Sequence, residues 1–146
     1  MEEALIKRTM PNSIEAEQSV VGAMMMDRAA IIAASETLAS EDFYHHQYGV
    51  LFDAIVELFN QNKPVDPVTL QDKLKEKDLP PEISSMEYVL DLIAAVPTAA
   101  NIRYYANMVK DKAMLRKLIK VAESIQNECY AGSEELQTIF ANTEKN

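Results

Sequence analysis

The chain reads as all-α, a small globular helical head followed by an extended helical hairpin, and three observations predict this. No run of β-branched residues alternates with period two. Apolar residues recur at three- and four-residue spacing along almost the whole chain, and helix-capping or helix-breaking residues punctuate nearly every segment. A helical pattern from about Thr98 to Ala131 is stopped only by Gly132. Such a helix is about 45 Å long, more than a head of about a hundred residues can cover. Its apolar side calls for something outside the head, which favours self-assembly or partner docking over catalysis. The expected division is a flexible N-terminal arm at 1–12, a helical head at 13–97 and a helical hairpin at 98–146.

The elements follow in order. Asn12 with Glu15 has the capping-box pattern, and Ala16, Val20, Val21, Ala23 and Met24 form a stripe, so the first helix covers about 13–25. Asp27 caps a second helix to Leu38, with Ile31, Ile32 and Leu38 on its buried side. A turn at Ser40 to Asp42 leads into a third helix carrying Tyr48, Leu51, Phe52, Ile55, Leu58 and Phe59, ended by Asn62 and Pro64. Asp66 followed by Pro67 opens a short helix through Leu70 and Leu74 to about Lys77. Leu79-Pro80-Pro81 breaks it.

Ser84 with Glu87 suggests another capping box, before a stripe of Tyr88, Val89, Leu92, Ile93 and Val96. Thr98 is the expected cap of the long helix. Ile102, Tyr105, Ala106 and Val109 are expected to dock on the head. Leu115, Leu118, Ile119, Ala122, Ile125 and Cys129 face whatever lies beyond it. After Gly132, Ser133 restarts a helix with Leu136, Ile139 and Phe140 on one side. The pattern is still open at Asn146, which predicts a chain continuing further.

With 146 residues and 48% apolar content, the chain is long enough for a real core. It has no apolar run of the length a membrane span needs and no signal-peptide pattern, so no membrane role is predicted. The single cysteine, Cys129, excludes an internal disulfide and fits a reducing cytoplasm. Residues 1–97 hold seven Lys and Arg against seventeen Asp and Glu, whereas 98–146 hold seven against six. An acidic head repels phosphate and attracts basic protein surfaces. The one basic cluster, Lys110, Lys112, Arg116, Lys117 and Lys120, is either the solvated face of the long helix or a nucleic-acid contact.

The three glycines, Gly22, Gly49 and Gly132, are isolated, so neither a phosphate-cradling loop nor a dinucleotide fingerprint is present. No catalytic constellation or cofactor site is predicted. Asp42, His45 and His46 make a metal site conceivable, but the paired Glu-x-x-His pattern of di-metal bundles is missing. Cys129 reads as a buried small residue on the apolar side of the hairpin rather than a nucleophile. Met24, Met25 and Met26 read as core filling.

Several segments occur in one order: Pro11-Asn12-Ser13-Ile14-Glu15-Ala16-Glu17-Gln18, Glu41-Asp42-Phe43-Tyr44, Pro64-Val65-Asp66 with Val68-Thr69, Val96-Pro97-Thr98-Ala99-Ala100-Asn101, Tyr104-Tyr105-Ala106 and Leu115-Arg116-Lys117-Leu118-Ile119. Together they resemble the N-terminal domain of the bacterial DnaB-type replicative DNA helicase, from Pro11 onward. The resemblance implies a helical head and hairpin that alternate around a ring, as a dimer, a trimer of dimers or a hexamer. It further implies docking of the C-terminal, helicase-binding domain of primase at a cytoplasmic replication fork, with a helicase loader as a further candidate partner. ATP and magnesium would belong to a RecA-like motor domain absent from this stretch, and DNA would pass through the ring of the full-length protein.

By position, Tyr88, Ile119 and Ile125 match places the family links to communication with primase. The oligomer or partner interface is expected on Leu115, Leu118, Ile119, Ala122, Ile125, Leu136, Ile139 and Phe140. The chain departs from the family just before Tyr88, where Ser84-Ser85 replaces a common glycine pair.

Overall fold

A computed structural model describes residues 9–132 and 134–145, and among these every regular element is helical. The helices are α1 (Ile14–Met26), α2 (Arg28–Thr37), α3 (His46–Asn60), α4 (Pro67–Glu76), α5 (Pro81–Ser84), α6 (Met86–Ala94), α7 (Ile102–Ala131) and α8 (Leu136–Lys145), with a 3-10 turn at Ser40–Asp42. They divide into two compact units, one formed by 12–111 and one by the N-terminal residues with 112–146. α7 contributes to both.

In the first unit, α1 packs against α2, α3 and α6, while α4 packs against α3 and α6. Its core gathers Val20, Val21, Met24, Ile31, Leu51, Ile55, Leu70, Leu74 and Val89. Ile102, Ala106 and Val109 of α7 join the same core, so this unit takes in 98–111 as well as the expected head.

Local chemistry sets most boundaries. Asp27 ends one helix and starts the next: its N–H donates to Ala23 O at 3.1 Å, and its carboxylate accepts from Ala29 N at 2.9 Å. One residue therefore turns the chain sharply between α1 and α2. α3 ends in a Schellman motif, with Asn62 at φ 59°, Asn62 N bonded to Phe59 O and Lys63 N bonded to Leu58 O. At α4, Asp66 accepts from Thr69 N at 2.9 Å, and Thr69 Oγ1 accepts from Asp66 N at 3.0 Å. Gly132, at φ 58°, ends α7.

Several boundaries differ from the sequence expectations. The cap of α1 is Ser13, whose Oγ accepts from Ala16 N at 3.2 Å, rather than Asn12. The cap of α6 is Ser85, accepting from Tyr88 N at 3.1 Å. Ser84 instead closes the short, unexpected helix α5 and donates to Pro80 O at 3.1 Å. Thr98 Oγ1 accepts from Ala100 N within a turn, and α7 begins only at Ile102. Adjacent polar residues such as Asn12-Ser13 and Ser84-Ser85 offer equivalent caps, and tertiary packing selects between them. Ile32, expected inside, is exposed, because the buried side of α2 is made by Ala30, Ile31, Ala33 and Ala34. The expected cap Ser133 lies outside the described residues, as does most of the arm at 1–12.

Gly22 marks a close approach in the head. A Cβ there would meet Val96 Cγ2 at 2.3 Å, so the chain entering 97–101 is held tightly on α1.

In the second unit, Arg116 Nη1 donates to Pro11 O at 2.8 Å, tying the N-terminal stretch to α7. In α8, Thr143 Oγ1 donates to Ile139 O at 2.9 Å.

Candidate functional site

The two units offer different kinds of chemistry. The head contains a buried carboxylate on the apolar side of α1: Glu17 is 1% exposed. Its Oε2 accepts from Tyr44 N and its Oε1 from His45 N, each at 3.0 Å, while His45 Nδ1 lies 3.1 Å from Oε1. A buried carboxylate is costly unless fully bonded, and these donors meet that need. Glu17 therefore anchors the segment entering α3 onto α1. The sequence reading passed over it, although its spacing of three, four and seven residues before Val20, Val21 and Met24 places it on the buried stripe.

This arrangement scatters the conceivable metal site. His45 turns toward Glu17, and Asp42 bonds Lys110 Nζ at 3.2 Å and Ala39 N at 2.9 Å. His46 lies in a surface cleft with Glu41, Tyr44 and Asp53. Among the described residues no three His, Cys, Asp or Glu side chains are grouped to hold a metal ion.

Tyr88 has a half-buried ring packed on the core and a fully buried hydroxyl. That hydroxyl finds no hydrogen-bond partner of good geometry. Burial, followed by the neighbouring Tyr48 phenol, pushes its pKa up to about 12. Tyr48 is raised as well, by burial and then by the charge of Glu17. Tyr88 thus sits with its polar end inside the head.

The second unit shows the opposite pattern. Leu115, Leu118, Leu136 and Phe140 are 45%, 62%, 65% and 60% exposed. Ala122 is exposed, and Ile119 and Ile125 are half-buried. A cleft of about 370 Å³ is lined by Thr9, Met10, Ile119, Ala122, Glu123 and Gln126. Two members of the apolar set differ from expectation. Ile139 is already 7% exposed within the single chain and offers little to a partner. Cys129, expected to be buried, is exposed, because the long helix leaves it uncovered.

The basic cluster is not one surface. Lys110 is paired with Asp42 and Arg116 with the Pro11 carbonyl, whereas Lys112 is half-buried and Lys117 and Lys120 are exposed. Among the described residues, no helix is long and apolar enough to cross a membrane.

A helical head with a buried core, joined to helices that hold Leu115, Leu118, Leu136 and Phe140 in water, is an all-helical domain whose distal apolar surface is its most distinctive feature. Residues 9–111 match the family described as DnaB-like helicase N terminal domain, and the chain belongs to that family. It is 41% identical over 140 residues to the replicative DNA helicase DnaB of Geobacillus stearothermophilus, covering 96% of this chain and 31% of that protein. The chain thus spans about a third of the length of the curated relatives it matches.

Among solved structures, the crystal structure of the N-terminal domain of DnaB helicase from Mycobacterium tuberculosis superposes with a TM-score of 0.87 at 35% identity, covering 94% of this chain and 97% of that one. The N-terminal domain of DnaB helicase from Helicobacter pylori, described together with its interactions with primase, shares the fold at a TM-score of 0.69 and 24% identity. That match covers 80% of this chain and 90% of the other.

Proposed function

We propose that this chain is the collar of a replicative DNA helicase, acting through assembly and recruitment rather than catalysis. Copies of the chain associate through the apolar side of α7 and α8, and the resulting collar docks the helicase-binding domain at the C-terminus of primase. ATP and magnesium serve the motor of the full-length helicase, in the cytoplasm, and a helicase loader is a further partner. DNA passes through the ring of that full-length protein.

The observation that carries this reading is the exposure of Leu115, Leu118, Leu136 and Phe140 on α7 and α8. Four large apolar side chains left in water have a favourable route to burial only against another molecule. The relatives' helicase names and the primase interactions described for the H. pylori domain support the same assignment. A nucleic-acid role for the basic cluster is weaker, since Lys110 and Arg116 are already engaged with groups of this chain.

Sedimentation velocity across a concentration range tests the assembly. The expected result is concentration-dependent association that a Leu118→Ser, Phe140→Ser double variant abolishes while keeping its helix content. A chain that stays monomeric at high concentration overturns the reading. Titration with the isolated primase C-terminal domain tests recruitment, with saturable binding expected.

A further inference from the structure

The exposed apolar side of α7 is interrupted at Ile119, which is half-buried although Leu115, Leu118 and Ala122 around it are exposed. Ile119 shares a cleft of about 370 Å³ with Thr9 and Met10. Pro11, next in the chain, accepts a hydrogen bond at 2.8 Å from Arg116 Nη1, about one turn before Ile119. Residues 9–11 therefore run along α7 in the opposite direction, within one compact unit.

Their position on the helix is specific. At about 100° per residue, Leu115 and Ala122 lie about 40° and 60° from Ile119 on one side, while Glu123 and Arg116 lie about 40° and 60° away on the other. Ile119 is thus the margin where the apolar side of α7 meets a polar flank. Residues 9–11 occupy that margin. They belong to no helix, Met10 is half-buried and Thr9 is exposed. A tightly packed segment leaves no cleft of this size beneath it, so the stretch is tied down at Pro11 and seated loosely over Ile119.

We infer that residues 9–11 form a releasable strap on the association surface, with the Pro11 carbonyl and Arg116 as its latch. Seated, the strap withholds Ile119 from a partner copy. Lifted, it lets Ile119 join Leu115, Leu118 and Ala122, and the apolar side of α7 then binds more tightly. The inference rests on the assembly reading and adds a control to it: association along α7 has to displace a segment of the same chain.

Truncation and a reversible lock test it. A chain that starts at Asn12 keeps Ser13, the cap of α1, and every described helix, so unchanged circular dichroism is expected. Its association in sedimentation is expected to tighten at least about five-fold over wild type, and Ile119→Ser is expected to remove that gain. In the full chain, T9C/Q126C/C129S leaves two cysteines that line the same cleft. Its purified oxidised monomer, with the strap tied to α7, is expected to associate at least about five-fold more weakly than the same protein after reduction. A truncated chain that associates no better than wild type, or an oxidised form that matches its reduced form, overturns the strap while the assembly reading stands. If neither the wild-type nor the truncated chain associates at high concentration, both fall.

Discussion

In the head, Val20, Val21, Leu51, Ile55, Leu70, Leu74 and Val89 cover one another while only scattered apolar residues such as Val68 and Leu90 face outward, and even the charge at Glu17 is enclosed by donors from the chain itself. Beyond Asp111 the same residue types stand in water: Leu115, Leu118, Leu136 and Phe140 are exposed, and Ile139 alone of the expected apolar set is buried. A compact bundle gives each helix neighbours on several sides. Past Asp111 the apolar pattern of α7 continues with less of it covered. The head is therefore where substitution is expected to change stability, and under the proposed function the distal helices are where it would change association.

Substitutions that break this contrast are ordered by their expected effect on the unfolding free energy. Ile55→Ala removes a fully buried side chain from the centre of the head and is expected to cost about 2–5 kcal/mol, read as a lower midpoint in urea denaturation. Glu17→Ala deprives Tyr44 N–H and His45 N–H of their acceptor, for a loss of about 3 kcal/mol. A midpoint unchanged from wild type would show that the buried carboxylate anchors nothing.

Tyr88→Phe has the opposite sign. It deletes a buried hydroxyl that lacks a good partner, so stability at neutral pH is expected to rise by up to about 1 kcal/mol. The pH dependence follows from the raised pKa. The folded value, about 12, lies above the unfolded value of about 10, so the folded state holds its proton to higher pH. The stability tied to protonation is fully present below pH about 10 and is lost as pH rises toward 12. Thermal melts between those limits should fall less steeply with pH in the Phe variant than in wild type.

Glu57→Gln is expected to change least. Partial burial raises the Glu57 pKa, but hydrogen bonding and charge from Lys77, then Lys73, outweigh it and hold the carboxyl below its ordinary value of 4.5. The group is largely exposed, so the pair contributes under about 0.5 kcal/mol. That contribution is present above the unfolded pKa and disappears as pH falls through the depressed folded value. The distal Leu118→Ser, Phe140→Ser variant belongs at this end of the stability scale, within about 0.5 kcal/mol, while removing association. A large loss of stability in that variant would show that the distal side chains are sealed within one chain.

Local signals were readable wherever one residue had no competitor. Asp27 and Asp66 are single strong caps flanked by Arg28 and Pro67, and both act as expected. Where two candidates stood side by side, as at Asn12-Ser13 and Ser84-Ser85, the pattern pointed one residue early. Periodicity identified the buried side of α3 because it is long, whereas α2 is too short and Ala-rich to reveal that Ile32 faces outward. At the candidate site, the exposed apolar residues of α7 and α8 could be read from their excess over what the head covers. The division of the basic cluster could not, because Asp42 meets Lys110 and Pro11 meets Arg116 from far away in sequence.

By itself the sequence determined the helical class, most helix ends and the surplus apolar face, because caps, stops and periodicity act over a few residues. Tertiary structure alone decided that Glu17 is an interior anchor, that Tyr88 turns its hydroxyl inward and that Ile139 is covered while Phe140 is not. Each of those outcomes depends on burial or on a partner distant in the chain, and no local pattern encodes which neighbour arrives.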